Sequence, residues 1–131
     1  LKEVKDLSQQ AKEAAKASGK PLLIVGRPDH GMTQMAGIHD CGDVCADLSG
    51  CPTCPVSVKA DIQDLSMFGD KEFGAVYSGH VIEHVEDPEQ AVAELHRVAD
   101  HVFIAFPRAC RAFTVCTRHV PAPIVITINN P

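Results

Sequence analysis

Residues 73–98, FGAVYSGHVIEHVEDPEQAVAELHRV, carry the pattern that decides the fold. Residues 73–77 are apolar and aromatic and predict a buried strand, residues 78–84 a polar turn, and residues 88–98 a capped helix. Asp87 is suited to accept from orphan backbone N–H groups, Pro88 suits the first helical position, and Gln90 completes a capping-box spacing. Ala91, Val92, Leu95, Val98 and Ala99 recur at helical spacing, so one face is apolar and belongs on a sheet. A strand followed by such a helix is half of a βαβ unit. Ligands of open α/β sheets sit outside the carboxyl ends of the strands, which makes residues 78–84 the place for a site. An ordinary loop with two solvated histidines, His80 and His84, is the competing reading.

The stretches upstream extend the same alternation. Residues 22–25 are a short apolar run, the sign of a strand buried on both faces. It leads into a glycine-bearing loop, Gly26 to Gly31, of the kind that lets a nucleotide-like ligand approach the backbone; plain loops share that spacing. Residues 32–38 leave room for only about two helical turns. Residues 44–48 predict a second strand ending in Ala-Asp-Leu. Asp47, with Leu48 beside it, stands about 20 residues after the glycine loop, where an acid accepts from both hydroxyls of a ribose. A turn cap is the alternative role. Residues 56–60 predict a third strand. Asp61 at its end can bond the exocyclic amine of a base while Ile62 packs the flat face.

At the amino end, Leu1, Val4, Leu7, Ala11, Ala14 and Ala15 share one helical face, and Gly19 and Pro21 stop the helix. It is expected to pack on the sheet edge; its lysines leave a membrane-surface role as a lesser alternative. At the carboxyl end, residues 101–106 predict a fifth strand closed by Pro107. Two β-rich runs follow, 112–117 and 124–128, arranged as a terminal hairpin or tail.

The composition is that of an ordinary globular chain: of its 131 residues, 45% are hydrophobic and 22% charged, which fits a single domain rather than disorder. The domain divides into a helix over 1–19, a core over 21–107 and a tail over 108–131. A net charge of −5, from 12 basic against 17 acidic residues, offers no footprint for nucleic acid. No run is apolar for the roughly 18 residues that span a bilayer, so a cytoplasmic setting is expected; the chain opens on Leu1, which leaves an upstream anchor or targeting segment open. Six cysteines in such a chain are expected as reduced thiols. Cys41, Cys45, Cys51 and Cys54, with His39 nearby, also have the number of ligands for zinc. Against zinc, Cys45 falls inside a predicted strand, and the pair Cys51 and Cys54 opens no helix of thioredoxin type. No metal is expected.

Three segments, ADLSG at 46–50, ADIQDLSM at 60–67 and the run quoted first, together resemble the class I S-adenosylmethionine-dependent methyltransferases of small-molecule type. The likeness spans residues 21–107, and its most specific part is the order His-Val-x-x-His-Val-x-Asp-Pro followed by Glu-x-x-Arg in the helix. It implies an α/β, Rossmann-like, doubly wound and mostly parallel sheet with flanking helices and an antiparallel C-terminal hairpin. It also implies S-adenosylmethionine as cofactor, with Gly26 under the methionine portion, Asp47 on the ribose, Asp61 and Ile62 on the adenine, and Ser78, Gly79 and His80 near the sulfonium. Departures are equally specific: Ile24 replaces the acid of the first motif, Pro28 and His30 take later glycine positions, and Gly74 replaces the usual Asp. Pro28 removes an N–H donor. Asp29 is placed to compensate partly near the methionine ammonium.

The expected activity is methyl transfer to an acceptor that no residue names, taken to be a small molecule. His80, Glu83 or His84 is suited to take the proton of a hydroxyl or acid, and a structural hydrogen bond is the alternative role for His84. A catalytically silent relative, serving as a binding or scaffold module for a protein partner, is the second expectation. No nucleic acid or membrane partner is expected.

Overall fold

The computed structural model describes residues 2–28, 40–79, 81–107 and 123–129. The chain runs α1 (Lys2–Ser18), β1 (Leu22–Val25), β2 (Val44–Asp47), β3 (Ser57–Lys59), β4 (Phe73–Gly79), α2 (Pro88–Val98), β5 (Ala99–Pro107) and β6 (Pro123–Asn129), with a 3₁₀ turn at Ile82–His84. The strands form one sheet in the order β3-β2-β1-β4-β5-β6, parallel except for β6, which is antiparallel to β5. This is an α/β Rossmann-like fold. The β6 strand contains the predicted run 124–128; the other run of the expected hairpin, 112–117, lies outside the described residues, as does the helical segment 32–38.

Alternation along the strands builds two cores. Leu23, Val25, Val76, Val102 and Ile104 face α2, where Ala91, Leu95 and Val98 close the layer. Leu22, Ile24, Tyr77, Phe103 and Ala105 face α1, where Leu7, Ala11 and Ala15 meet them. Because both faces are covered, β1 and β4 are buried along their whole length, as strands of parallel sheets are.

The structure corrects several expectations. The α1 helix lies across the middle of the sheet, chiefly on β4 and β5, and not on its edge. Gly74 permits this: a Cβ there would come within 2.9 Å of Ala15 Cα and Ser18 Cβ. The helix ends in a Schellman arrangement, with Gly19 at φ 69° and the Lys20 N–H donating to Ala15 O. Strand β4 continues through Ser78 and Gly79, two residues into the expected turn, because pairing with β5 persists to Gly79 and Ala105. Ala99 belongs to β5 and not to the helical stripe; its extended backbone (φ −136°, ψ 149°) turns the chain directly from helix to strand.

The capping box is also rearranged. Asp87 Oδ1 accepts from Gln90 N at 3.1 Å, but the Asp87 N–H donates to Gln63 Oε1 and the Gln90 amide reaches Gln63 O. Gln63 thus takes the reciprocal role, tying α2 to the β3–β4 connector.

The cysteines depart furthest from expectation. Cys41 pairs with Cys54 and Cys45 with Cys51 as disulfides, in place of reduced thiols or a zinc cluster. Residues 48–56, the crossover from β2 to β3, contain no helix, and the pairs hold it against the sheet where a helix would ordinarily lie.

Candidate functional site

The sheet order makes β1 the reversal point: from it the chain first moves outward to β2 and β3, then returns to place β4 on the other side. The crevice of a doubly wound sheet opens at such a point, beyond the carboxyl ends. Register aligns Val25 with both Ala46 and Ser78, so Gly26, Asp47 and Gly79, one residue on, form a row across that edge. Gly26 has φ 112°, which side chains rarely adopt, and a Cβ there would lie 2.9 Å from Val81 Cγ2.

Ser78 is 1% exposed, and its Oγ has no hydrogen-bond partner among the described residues. A buried hydroxyl is costly to leave without a partner, which marks Ser78 as a candidate to bond a group at this edge. Gly79 is required by its neighbour: a Cβ would come within 2.6 Å of Tyr77 Oη. Burial pushes the Tyr77 phenol upward, keeping it neutral.

Asp47 joins two segments at this edge. Its carboxylate accepts from the Arg27 N–H (3.2 Å) and the Ser49 N–H (2.9 Å), while its carbonyl accepts from Gly50 and Ala60. The cap role and the ligand role are therefore compatible, since each carboxylate oxygen has a further lone pair. Leu48, directly after it, is 71% exposed and offers an apolar surface beside the acid.

Asp61 forms an Asx turn, accepting from Gln63 N at 2.9 Å and from the Gln63 amide. Ile62 is 3% exposed and sits in the core cluster on the α2 side. Helix α2 fastens this connector. Arg97 donates to Leu65 O, Phe68 O, Asp70 and both oxygens of Glu94, and Glu94 Oε2 accepts from Leu65 N. The hydrogen bond from Arg97 holds the Glu94 carboxyl below its usual range, and the same contact raises Arg97. Asp64 is likewise lowered, by hydrogen bonds from Ser66. Sequence reading found the Glu-x-x-Arg spacing but not its purpose, because the carbonyls it holds are about 30 residues away. Lys71 (φ 54°) completes the fastening by donating to His96 O and Ala99 O at the end of α2.

The remaining candidates are placed as follows. Asp29, Gly31 and His80 lie outside the described residues. Glu83 and His84 lie in the 3₁₀ turn after β4, and the His84 side chain is exposed. The structure thus brings Gly26, Asp47, Ser78 and Gly79 to one edge, with Asp61 at the end of the neighbouring β3. Among the described residues no group of three His, Cys, Asp or Glu side chains is arranged to hold a metal, and no helix is long and apolar enough to cross a membrane.

A family described as "Methyltransferase domain" matches residues 5–101. Among solved structures, the chain is similar to a protein of Bacillus halodurans assigned as a methyltransferase (22% identity, TM-score 0.56, covering 83% of this chain and 48% of the other). It is also similar to a SAM-dependent methyltransferase of Thermotoga maritima (16% identity, TM-score 0.49, covering 79% and 53%). A third likeness is to the [4+2]-cyclase SpnF (15% identity, TM-score 0.51, covering 78% and 44%). The chain spans about half the length of each of these structures. No curated protein matches the sequence significantly.

Proposed function

The chain belongs to the methyltransferase-domain family, and we propose that it binds S-adenosylmethionine at the carboxyl edge of β1, β2 and β4 and transfers its methyl group to a small acceptor. The observation that carries this reading is the row of Gly26, Asp47 and Gly79 at the reversal point, with the Ser78 hydroxyl, unpartnered among the described residues, behind it. Those residues fit the cofactor: a glycine turns the chain at the crevice, an acid ends β2, and a hydroxyl with no partner among the described residues lies behind them.

When bound, S-adenosylmethionine supplies a methyl group activated on a positive sulfur. The protein's part is to position donor and acceptor and to exclude water. Gly26, at φ 112°, turns the chain at the floor of the crevice beside Val81. Asp47 holds the ribose hydroxyls through lone pairs that the Arg27 and Ser49 N–H groups leave unused, and those same bonds keep the carboxylate in one orientation. Asp61 and Leu48 flank the adenine. Where the acceptor is a hydroxyl or an acid, His80, Glu83 or His84 takes its proton, histidine being suited to that task near neutral pH.

A second reading, a binding module without catalysis, is favoured by Pro28, which cannot donate a backbone N–H, and by Val81, whose methyl sits over Gly26. The likeness to a cyclase adds that this fold serves other chemistry. Incubation with S-adenosylmethionine labelled in the methyl group, across small hydroxyl, carboxyl and amine acceptors, separates the two. Label appearing in an acceptor supports transfer; cofactor binding with no transfer to any acceptor supports the module.

A further inference from the structure

The crossover from β2 to β3 begins at Asp47, the acid of the cofactor edge, and runs back along the α1 face of the sheet. Two disulfides fasten it. Cys45, the second residue of β2, holds Cys51 (Cα–Cα 6.1 Å), and Cys41, just before β2, holds Cys54 (Cα–Cα 5.5 Å). Cys45 and Cys51 are fully buried in the α1-side core, and Cys45 Sγ lies 3.9 Å from the Gly26 carbonyl oxygen. Cys45 on the acid-bearing strand thus meets the glycine loop on one side and, through its disulfide, the returning segment on the other.

Hydrogen bonds supplement these two covalent ties. Among the described residues its hydrogen bonds include the turn from Gly50 N to Asp47 O, the turn from Cys54 N to Cys51 O, the Ser49 N–H donating to the Asp47 carboxylate, the Cys45 N–H donating to Val56 O, and the Cys51 N–H donating to Ser57 Oγ at 2.7 Å. Leu48 and Val56, at its two ends, are exposed and contribute little packing. In a helical crossover, packed side chains would hold the connection; here two covalent bonds take a large share of that task.

We propose that the four cysteines form a redox-sensitive clasp that sets the order of the Asp47 edge: closed by two disulfides, the segment presents Asp47 and Leu48 in register with Gly26, and reduced, it loosens and weakens cofactor binding. Each disulfide is opened by a dithiol reductant. Two electrons and two protons pass to the pair of cysteine sulfurs, and the dithiol leaves as its own disulfide. Complete opening consumes two dithiols and yields four thiols. The cofactor half of this inference rests on the proposed methyltransferase reading; the ordering of the segment does not.

The test compares the full chain before and after treatment with dithiothreitol, with alkylation and peptide mapping to verify the state of Cys41, Cys45, Cys51 and Cys54. Amide hydrogen exchange is followed at residues 25–28 and 45–57, and S-adenosylhomocysteine affinity is measured in both states. The clasp predicts at least tenfold faster exchange over 47–56 on reduction, unchanged protection in β4 and α2, and at least fivefold weaker ligand binding. The variant Cys41→Ser with Cys54→Ser should show part of both effects. Equal exchange at 47–56 in the two states, free thiols at these positions in untreated protein purified under air, or stoichiometric zinc bound by them would overturn it. An oxidised protein that binds no ligand sinks the methyltransferase reading instead, while the exchange comparison still decides the ordering.

Discussion

Replacement of Arg97 by alanine should be among the most damaging changes at a partly exposed position. Its guanidinium makes five hydrogen bonds: one each to the carbonyls of Leu65 and Phe68, one to Asp70, and two to Glu94, at 2.8–3.2 Å. The Asp70 bond counts for little, because that side chain is 81% exposed. Each charged bond to a backbone carbonyl is worth about 1 kcal/mol after allowing for the partial exposure of Arg97. Loss of the partner also leaves Glu94, 13% exposed, with the Leu65 N–H as its one remaining donor among the described residues, which costs about 1 kcal/mol more. The expected loss is about 3 kcal/mol, or roughly 10 °C in Tm for a domain of this size. Urea unfolding read by far-ultraviolet circular dichroism measures it, with an unchanged m-value expected. Arg97→Lys should recover less than half, since an ammonium cannot serve two carbonyls and a carboxylate in one plane. A loss below about 1 kcal/mol for Arg97→Ala, or full recovery by lysine, would refute the clamp.

Glu94 also predicts the acid limb. Its folded pKa is depressed from the ordinary 4.5, so its stabilisation is present above that value and disappears as pH falls through the folded pKa; the slope of stability between pH 5 and 3 should flatten in Arg97→Ala. Gly74→Ala should cost about 2 kcal/mol in unfolding experiments, because the new methyl meets the backbone of α1 rather than a movable side chain. Asp87→Ala should cost about 1 kcal/mol through loss of the cap to Gln90 N, measurable by thermal denaturation. Gly26→Ala combines a φ of 112° with contact to Val81, and should both destabilise the chain by about 1–3 kcal/mol and impair ligand binding.

What could be read before folding was largely what local physics decides. The bounds of α2 follow from Asp87-Pro88 at one end and the apolar stripe Ala91, Leu95, Val98 at the other, and β1 follows from four apolar residues between Pro21 and Gly26. Asp47 was legible as a candidate because its distance from the glycine loop reflects one strand-to-strand passage. Non-local facts were not legible. The pairing of Cys41 with Cys54 depends on a crossover without a helix, and the donation of Asp87 N to Gln63 depends on where the β3–β4 connector comes to rest. Gly74 looked like a missing acid until α1 was seen against it. Ser78 read as part of a turn because period-2 patterning fails in a strand buried on both faces, where nothing in the residue types marks the end.

The most direct measurement is calorimetric titration of the intact chain with S-adenosylhomocysteine, beside Asp47→Ala. Saturable binding at one site per chain, weakened about tenfold or more when the two ribose hydroxyls lose their acceptor, is the expected result. Absence of heat and of thermal stabilisation at millimolar ligand, or equal affinity in the variant, would contradict a cofactor site at the Gly26 and Asp47 edge.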